Sequence, residues 1–416
     1  MSHVNRVRAQ RLMRERGLDA IVLAKPESFT WASGAPAGVA AFFRRAGACL
    51  AVVPADPGTP IQVVTTELFA PAARQVLGEA HVWTHCDWVE TADIRPWVNG
   101  SESAAVLVSR AQAQRPAGFA RPAVFDARAA FGQLAQLLQR AGLSHARLGL
   151  DLDFWPVADY RLLCNVLPGV VWRDASATVS AIKVVKSAGE IERLQTAAAW
   201  AEAGMVHAIA AIHPGVDRAE IAQAWQDGVA RAVQASGRRM SGQWEYITVG
   251  ALPWQGGGRV QAGDVIKFDV GCLVDGYSSD SGRTFVCGQP RQRTQDIAQG
   301  LQDAFEAGLE VLKPGQPMSE VHRRATEAMH RAGFGDYQRG HFGHSLGHDT
   351  FCEVAPFLAQ AAHDLIEPGM VLAFETPFYV DGEGGFIIED QFVITETGAE
   401  PAWKLPRSLQ VLPLRG

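Results

Sequence analysis

The sequence has no run of about 18 apolar residues, the length a membrane-crossing helix needs, so a membrane partner is not expected. It also lacks an excess of positive charge. Its 38 Lys and Arg stand against 44 Asp and Glu for a net charge of -6, which leaves no basic face for phosphates and sets nucleic acid aside. Cysteine is sparse and scattered: Cys49, Cys86, Cys164, Cys272, Cys287 and Cys352 form no Cys-x-x-Cys pair. Free thiols in a reducing compartment follow. The opening MSHVNRVRAQRLMRERG has no apolar stretch of the kind that directs secretion, so the expected location is the cytoplasm. The glycines at 256 to 258 lack the Lys-Ser/Thr of a phosphate loop and read as a flexible loop.

What is present is enough chain for two domains, at 416 residues. The first, residues 1–170, alternates helical and strand-like segments: RVRAQRLMRERG, DAIVLAK, ACLAVVPA, PIQVVTT and FDARAAFGQLAQLLQRAG. This is an α/β pattern without a concentrated set of ligands or nucleophiles, and its His81 and His85 read as surface or packing residues. The text from Val170 to Leu194 reads as a connection into a second domain, residues 178–416. There, Ser187 with Glu190 and Asp217 with Glu220 form capping boxes that open two long helices. The strand EYITVGAL and a hairpin follow, and then a second cycle of two helices, from about Thr294 and Ser319, and strands near 371–379 and 385–395. The repeated order suggests an internal duplication.

The hairpin carries the chemistry. In KFDVGCLVDGYSSDSGRT, an Asp275-Gly276 turn sets Asp269 opposite Gly282 and leaves Asp280 diagonal to Asp269 on the same face. In FETPFYVDGEGGFIIED, a loop centred on Gly382 sets Glu375 opposite Glu389. Between them lies GHFGHSLGHD, whose glycines let the backbone approach a neighbour closely and which offers His341, His344 and His348. Carboxylates set among apolar strand residues need a cation, because burying an ionised acid alone costs several kcal/mol. Four carboxylates and an imidazole suit a pair of divalent ions such as Mn²⁺, Co²⁺ or Zn²⁺.

These residues resemble the creatinase, aminopeptidase P and prolidase group of the M24 metallopeptidase family, over nearly the whole chain. GLDAIVLAKPESFTWASG is similar to the start of the family's N-terminal domain, and Lys186-Ser187 with Glu190-Ile191 to the entry of its catalytic domain. DVGCLVDGYSSDSGRT, GHSLG and FIIED resemble its metal motifs, and FETP its Glu-Pro segment with Thr376 inserted. The resemblance implies an α+β chain: a pita-bread catalytic domain preceded by a smaller α/β creatinase-type domain. It implies that Asp269 chelates one ion, that Asp280 and Glu389 bridge two, and that His344 and Glu375 complete the other. A bridging hydroxide would then attack a peptide carbonyl with Glu375 as proton acceptor, and no serine or cysteine nucleophile is expected. Mn²⁺ is the first choice of metal, and a homodimer is implied.

Three positions depart from the family pattern. Trp254 and Phe351 stand where its peptidases carry histidines, and Ile387 where they carry an arginine. His348, His341 and Tyr246 are the groups expected to replace the lost hydrogen bonds, with Glu353 and Arg283 as further pocket residues, Arg283 orienting a ligand carboxylate. The expected function is hydrolysis of a small peptide with proline after the scissile bond. The apolar replacements keep open a hydrolase of a non-peptide amide or other C–N bond. A binding protein that kept the fold is the third reading.

Overall fold

A computed structural model describes residues 2–98, 100–254, 258–349 and 351–414. The chain forms two compact units, Met1–Val179 and Ser180–Gly416. Glycines 256 and 257 of the expected flexible loop lie outside the described residues.

The N-terminal unit holds a six-stranded sheet of β1 (Ala20–Leu23), β2 (Leu50–Pro54), β3 (Gln62–Thr66), β4 (Val82–His85), β5 (Arg147–Leu150) and β6 (Val171–Asp174), in the order β4-β3-β2-β1-β5-β6. Short runs of β-branched and aliphatic residues make these strands, and Val22, Leu50, Val52, Val64, Leu148 and Leu150 bury against Phe131, Leu134 and Leu138 of the helix Ala127–Arg140. His85 is enclosed, its ring between the carbonyls of Ala48 and Cys86. The expected connection after Val170 is instead β6, paired in parallel with β5, followed by the helix Ser176–Lys183. β6 is a mostly exposed edge strand, so it carries no apolar alternation to mark it.

In the C-terminal unit, both capping boxes form, opening the helices Ala188–Ile209 and Arg218–Ser236. The helices Gln292–Leu309 and Met318–Arg331 make the second pair. Its sheet has eleven strands. They are β7 (Gly242–Glu245), β8 (Thr248–Val249), β9 (Val265–Val274), β10 (Tyr277–Ser278), β11 (Ser281–Cys287), β12 (His341–Ser345), β13 (Val354–Ala359), β14 (Val371–Val380), β15 (Gly384–Ile394), β16 (Ala399–Pro401) and β17 (Gln410–Leu412). Each helix pair has its own core: Trp200 and Trp225 pack with Phe268 and Phe285, whereas Leu301 and Phe305 pack with Phe374 and Phe392. The two halves join where β11 pairs antiparallel with β15.

One further expectation changes here. EYITVGAL is split between β7 and β8, both paired to β9. The glycine-rich segment contains β12, held between β13 and β14. Gly343, at φ 137°, makes that possible, because a Cβ there would collide with the Ala373 carbonyl oxygen.

Candidate metal centre

Strand alternation sorts β9 into two faces. Ile266, Phe268 and Val270 enter the core, which turns Lys267 and Asp269 to the other side. Asp275 and Gly276 both adopt positive φ, 50° and 81°, as a two-residue hairpin turn requires. The turn fixes the register: Asp269 pairs with Gly282, and Asp280 lies two residues before it on the same face. On the second hairpin Glu375 pairs directly with Glu389. Because Gly282 also pairs with Glu389, the residues Asp269, Gly282, Glu389 and Glu375 form one row across four adjacent strands. A Cβ at Gly282 would lie 2.7 Å from Ile387, so glycine there keeps the row open. His344 comes from β12 opposite Ala373, two residues from Glu375.

One ligand atom each from Asp280, His344 and Glu389 lies within 4.8 Å of the others. His344 Nε2 stands 3.5 Å from Asp280 Oδ2 and 3.9 Å from Glu389 Oε1, and its Nδ1 faces the Ser345 carbonyl at 3.2 Å. Burial pulls the imidazole pKa down to about 4, so the ring is neutral at neutral pH with Nε2 turned to the acids, the state a metal ligand needs. Burial, and then repulsion from a neighbouring carboxylate, Asp269 on Asp280 and Asp280 on Glu389, push both acids well above the carboxylate range. The Cys352 thiol hydrogen-bonds to Asp280, yet Asp280 Oδ1 is buried with no hydrogen-bond partner. Buried acids left short of donors are a fit for a divalent cation, and an oxygen and imidazole donor set suits Mn²⁺, Co²⁺ or Zn²⁺.

Asp269 and Glu375 flank this cluster, each facing a cationic side chain. Lys267 Nζ donates to Asp269 Oδ2 at 3.0 Å, and Arg339 donates to Glu375 Oε1 at 2.7 Å. Burial raises Asp269, and Lys267 works against that rise. His341 joins the same surface, its Nδ1 3.6 Å from Glu375 and its Nε2 3.7 Å from Glu353. Burial holds His341 below its ordinary value and Glu353 above its own. His348 lies elsewhere, edge-on to Tyr277 at 5.2 Å and against Gly276 at the hairpin turn, and its carbonyl accepts from Lys183. Arg283 does not reach a cluster carboxylate. It is buried against Asp390 at 2.6 Å and the carbonyls of Gly282 and Glu389, bracing the strands.

Trp254 is 63% exposed and stacks on Tyr379 at 4.3 Å, and Phe351 is 60% exposed. Trp254, Phe334, Tyr337, Phe378, Tyr379 and Arg339 line a groove of about 630 Å³. Lys267, Arg339 and Tyr379 escaped the sequence reading. Lys267 had a signal, since it lies two residues before Asp269 on one strand and must share its face. Arg339 had none, because its reach to Glu375 depends on how β12 and β14 pair. Gly343 to Gly347 also spell Gly-x-Ser-x-Gly, the pattern of a serine nucleophile, but Ser345 is 1% exposed inside β12 rather than on a strand-to-helix turn.

The sequence profile of metallopeptidase family M24 matches residues 192–396, and that of the creatinase/prolidase N-terminal domain matches residues 6–185. The chain belongs to the M24 metallopeptidase family, with a creatinase-type N-terminal domain and a pita-bread catalytic domain. It is 31% identical over 271 residues to an Xaa-Pro dipeptidase of Pyrococcus furiosus, covering 63% of this chain and 75% of that one. It is 29% identical over 275 residues to an Xaa-Pro dipeptidase of Lactobacillus helveticus, covering 64% and 73%. An Xaa-Pro dipeptidase structure from Bacillus anthracis superposes with a TM-score of 0.74 at 21% identity, covering 98% of this chain and 99% of that one. At that identity the likeness speaks for the fold. Among the described residues no helix is long and apolar enough to cross a membrane.

Proposed function

We propose that the chain is a metal-dependent hydrolase of small peptides with proline after the scissile bond, its catalytic part being residues 178–416. The observation that carries this reading is the buried group of Asp280, His344 and Glu389, in register with Asp269 and Glu375. These three residues would hold a divalent ion, Mn²⁺ before Co²⁺ or Zn²⁺, which supplies Lewis acidity and water activation.

The chain's own groups do the rest. Glu375, with Oε1 held by Arg339, is fixed in position to accept a proton. His341, neutral because it is half-buried, offers a hydrogen bond beside it, in place of the histidines missing at Trp254 and Phe351. The aromatic walls of the groove suit a pyrrolidine ring, and Arg339, at the groove and at Glu375 alike, suits the carboxylate of a dipeptide. The family likeness adds a homodimer to the reading, and the scattered cysteines add a cytoplasmic location. The pair of ions it also implies meets an obstacle at Asp269, where Lys267 already stands.

A second reading rests on the Trp254–Tyr379 stack at the groove: a rebuilt pocket for a non-peptide amide or other C–N bond. A panel of Xaa-Pro dipeptides and tripeptides, incubated with Mn²⁺-loaded protein and with Asp280→Asn as the blank, separates the two. Turnover lost in the variant supports the peptidase. Silence from metal-loaded protein sinks it and leaves the amide hydrolase.

A further inference from the structure

We propose that Lys267 is a built-in cation standing in for a second metal ion, so that the chain holds one divalent ion, among Asp280, His344 and Glu389. The proposal rests on the metal-dependent reading only in its need for an ion at that cluster.

Lys267 is completely buried, and its ammonium contacts Asp269 Oδ2 at 3.0 Å. The same nitrogen lies over the ring of Tyr246 at 4.1 Å and faces that of Tyr379 at 5.3 Å. Two aromatic faces hold a cation by their quadrupoles, and enclosure leaves the side chain no path to water. The ammonium is therefore not a loose surface group that could swing aside. A dication held through Asp269 would stand within a few ångströms of a fixed like charge.

The charges point the same way. Asp269, Asp280, Glu375 and Glu389 carry four negative charges when ionised, and Lys267 and Arg339 supply two positive ones at the outer pair. One divalent ion balances these six groups, with the half-buried Glu353 beside His341 as a further carboxylate outside them. A second held at Asp269 would add a double positive charge beside the buried Lys267 ammonium, and burying like charges together is strongly unfavourable. The distances agree, because only Asp280, His344 and Glu389 bring ligand atoms within 4.8 Å of one another among the described residues.

The test counts ions. Full-length protein is stripped with a chelator and re-equilibrated with Mn²⁺. Bound manganese is then measured by elemental analysis, with the Mn²⁺ electron paramagnetic resonance spectrum as a second readout and circular dichroism to confirm that each variant is folded. The expected result is one ion per chain with the spectrum of an isolated ion, kept in Lys267→Arg. Lys267→Met frees Asp269 and should rise to two ions per chain with an exchange-coupled spectrum. Lys267→Met/Asp269→Asn should return to one. Two ions in the unaltered protein would overturn the proposal, as would a folded Lys267→Met that still holds one. The count does not depend on turnover: failure on every Xaa-Pro peptide with one ion bound removes the peptidase reading alone, and turnover with two ions bound removes this one alone.

Discussion

Asp151 in the N-terminal unit and Asp280 in the C-terminal unit are equally enclosed, at 2% and 3% exposure. Around Asp151 the chain has gathered donors: the amides of Ala24 and Lys25 at 2.9 to 3.1 Å and the Trp155 indole at 3.0 Å. Burial still raises its pKa, to about 6. Around Asp280 the chain has gathered other carboxylates, left one oxygen without a partner, and set a neutral imidazole alongside. Both acids are costly to bury. The first is answered from within the fold, and the second asks for a cation from outside, which is what separates a structural acid from a ligand.

Exchanging the acids for amides should break this comparison most visibly. Asp280→Asn is expected to lose bound Mn²⁺ and to lower kcat by more than about 100-fold, since even groups behind the ligands are worth 10- to 100-fold. Asp151→Asn should keep its metal and most of its turnover. Elemental analysis and initial rates decide, and equal losses in both variants would erase the distinction. Metal removal comes next. At a Mn²⁺ concentration of 100 Kd, binding to the native state alone stabilises it by about 2.7 kcal/mol. The melting temperature should therefore rise on Mn²⁺ addition in the unaltered protein and stay fixed in Asp280→Asn.

Asp151→Ala tests the other side. It strands the amides of Ala24 and Lys25 and the Trp155 indole, at a cost of about 2 kcal/mol in urea denaturation, with manganese content unchanged. The smallest effect is a pH dependence. The Asp151 pKa lies above its unfolded value, so its stabilising contribution is complete below about pH 3.8 and is lost as pH rises through about 6. Between pH 5 and 7 the advantage of the unaltered protein over Asp151→Asn should shrink by about 1 kcal/mol. A constant difference in urea midpoints would mean the carboxylate keeps an ordinary pKa.

Much of the C-terminal unit was legible because its signals are local. Ser187 with Glu190 and Asp217 with Glu220 need one turn of helix to act, and the Asp275-Gly276 turn fixes register by counting residues. That count placed Asp269 opposite Gly282, and the symmetry about Gly382 placed Glu375 opposite Glu389. It could not tell that Gly282 and Glu389 would also pair, since the β11–β15 junction joins residues more than a hundred positions apart. His341 and His348 looked alike in the text. Only the pairing of β12 with β14 brings one to Glu375, while the other goes to Tyr277. Arg283 misled because an arginine beside acids suggests a pair with a ligand, whereas Asp390, one residue past Glu389, points to the opposite face and takes it.

The row from Asp269 through Gly282 and Glu389 to Glu375 also bears on how the chain is checked as it folds. Each of these strands shows one face to the core and the other to the acids, so a slip of one residue would trade ligand for core side chain along a whole strand. A sheet paired out of step could still collapse, but it would present aliphatic groups where the acids now stand. Under the metal-dependent reading, ion binding would therefore report strand register: only a sheet paired in step brings Asp280, His344 and Glu389 together.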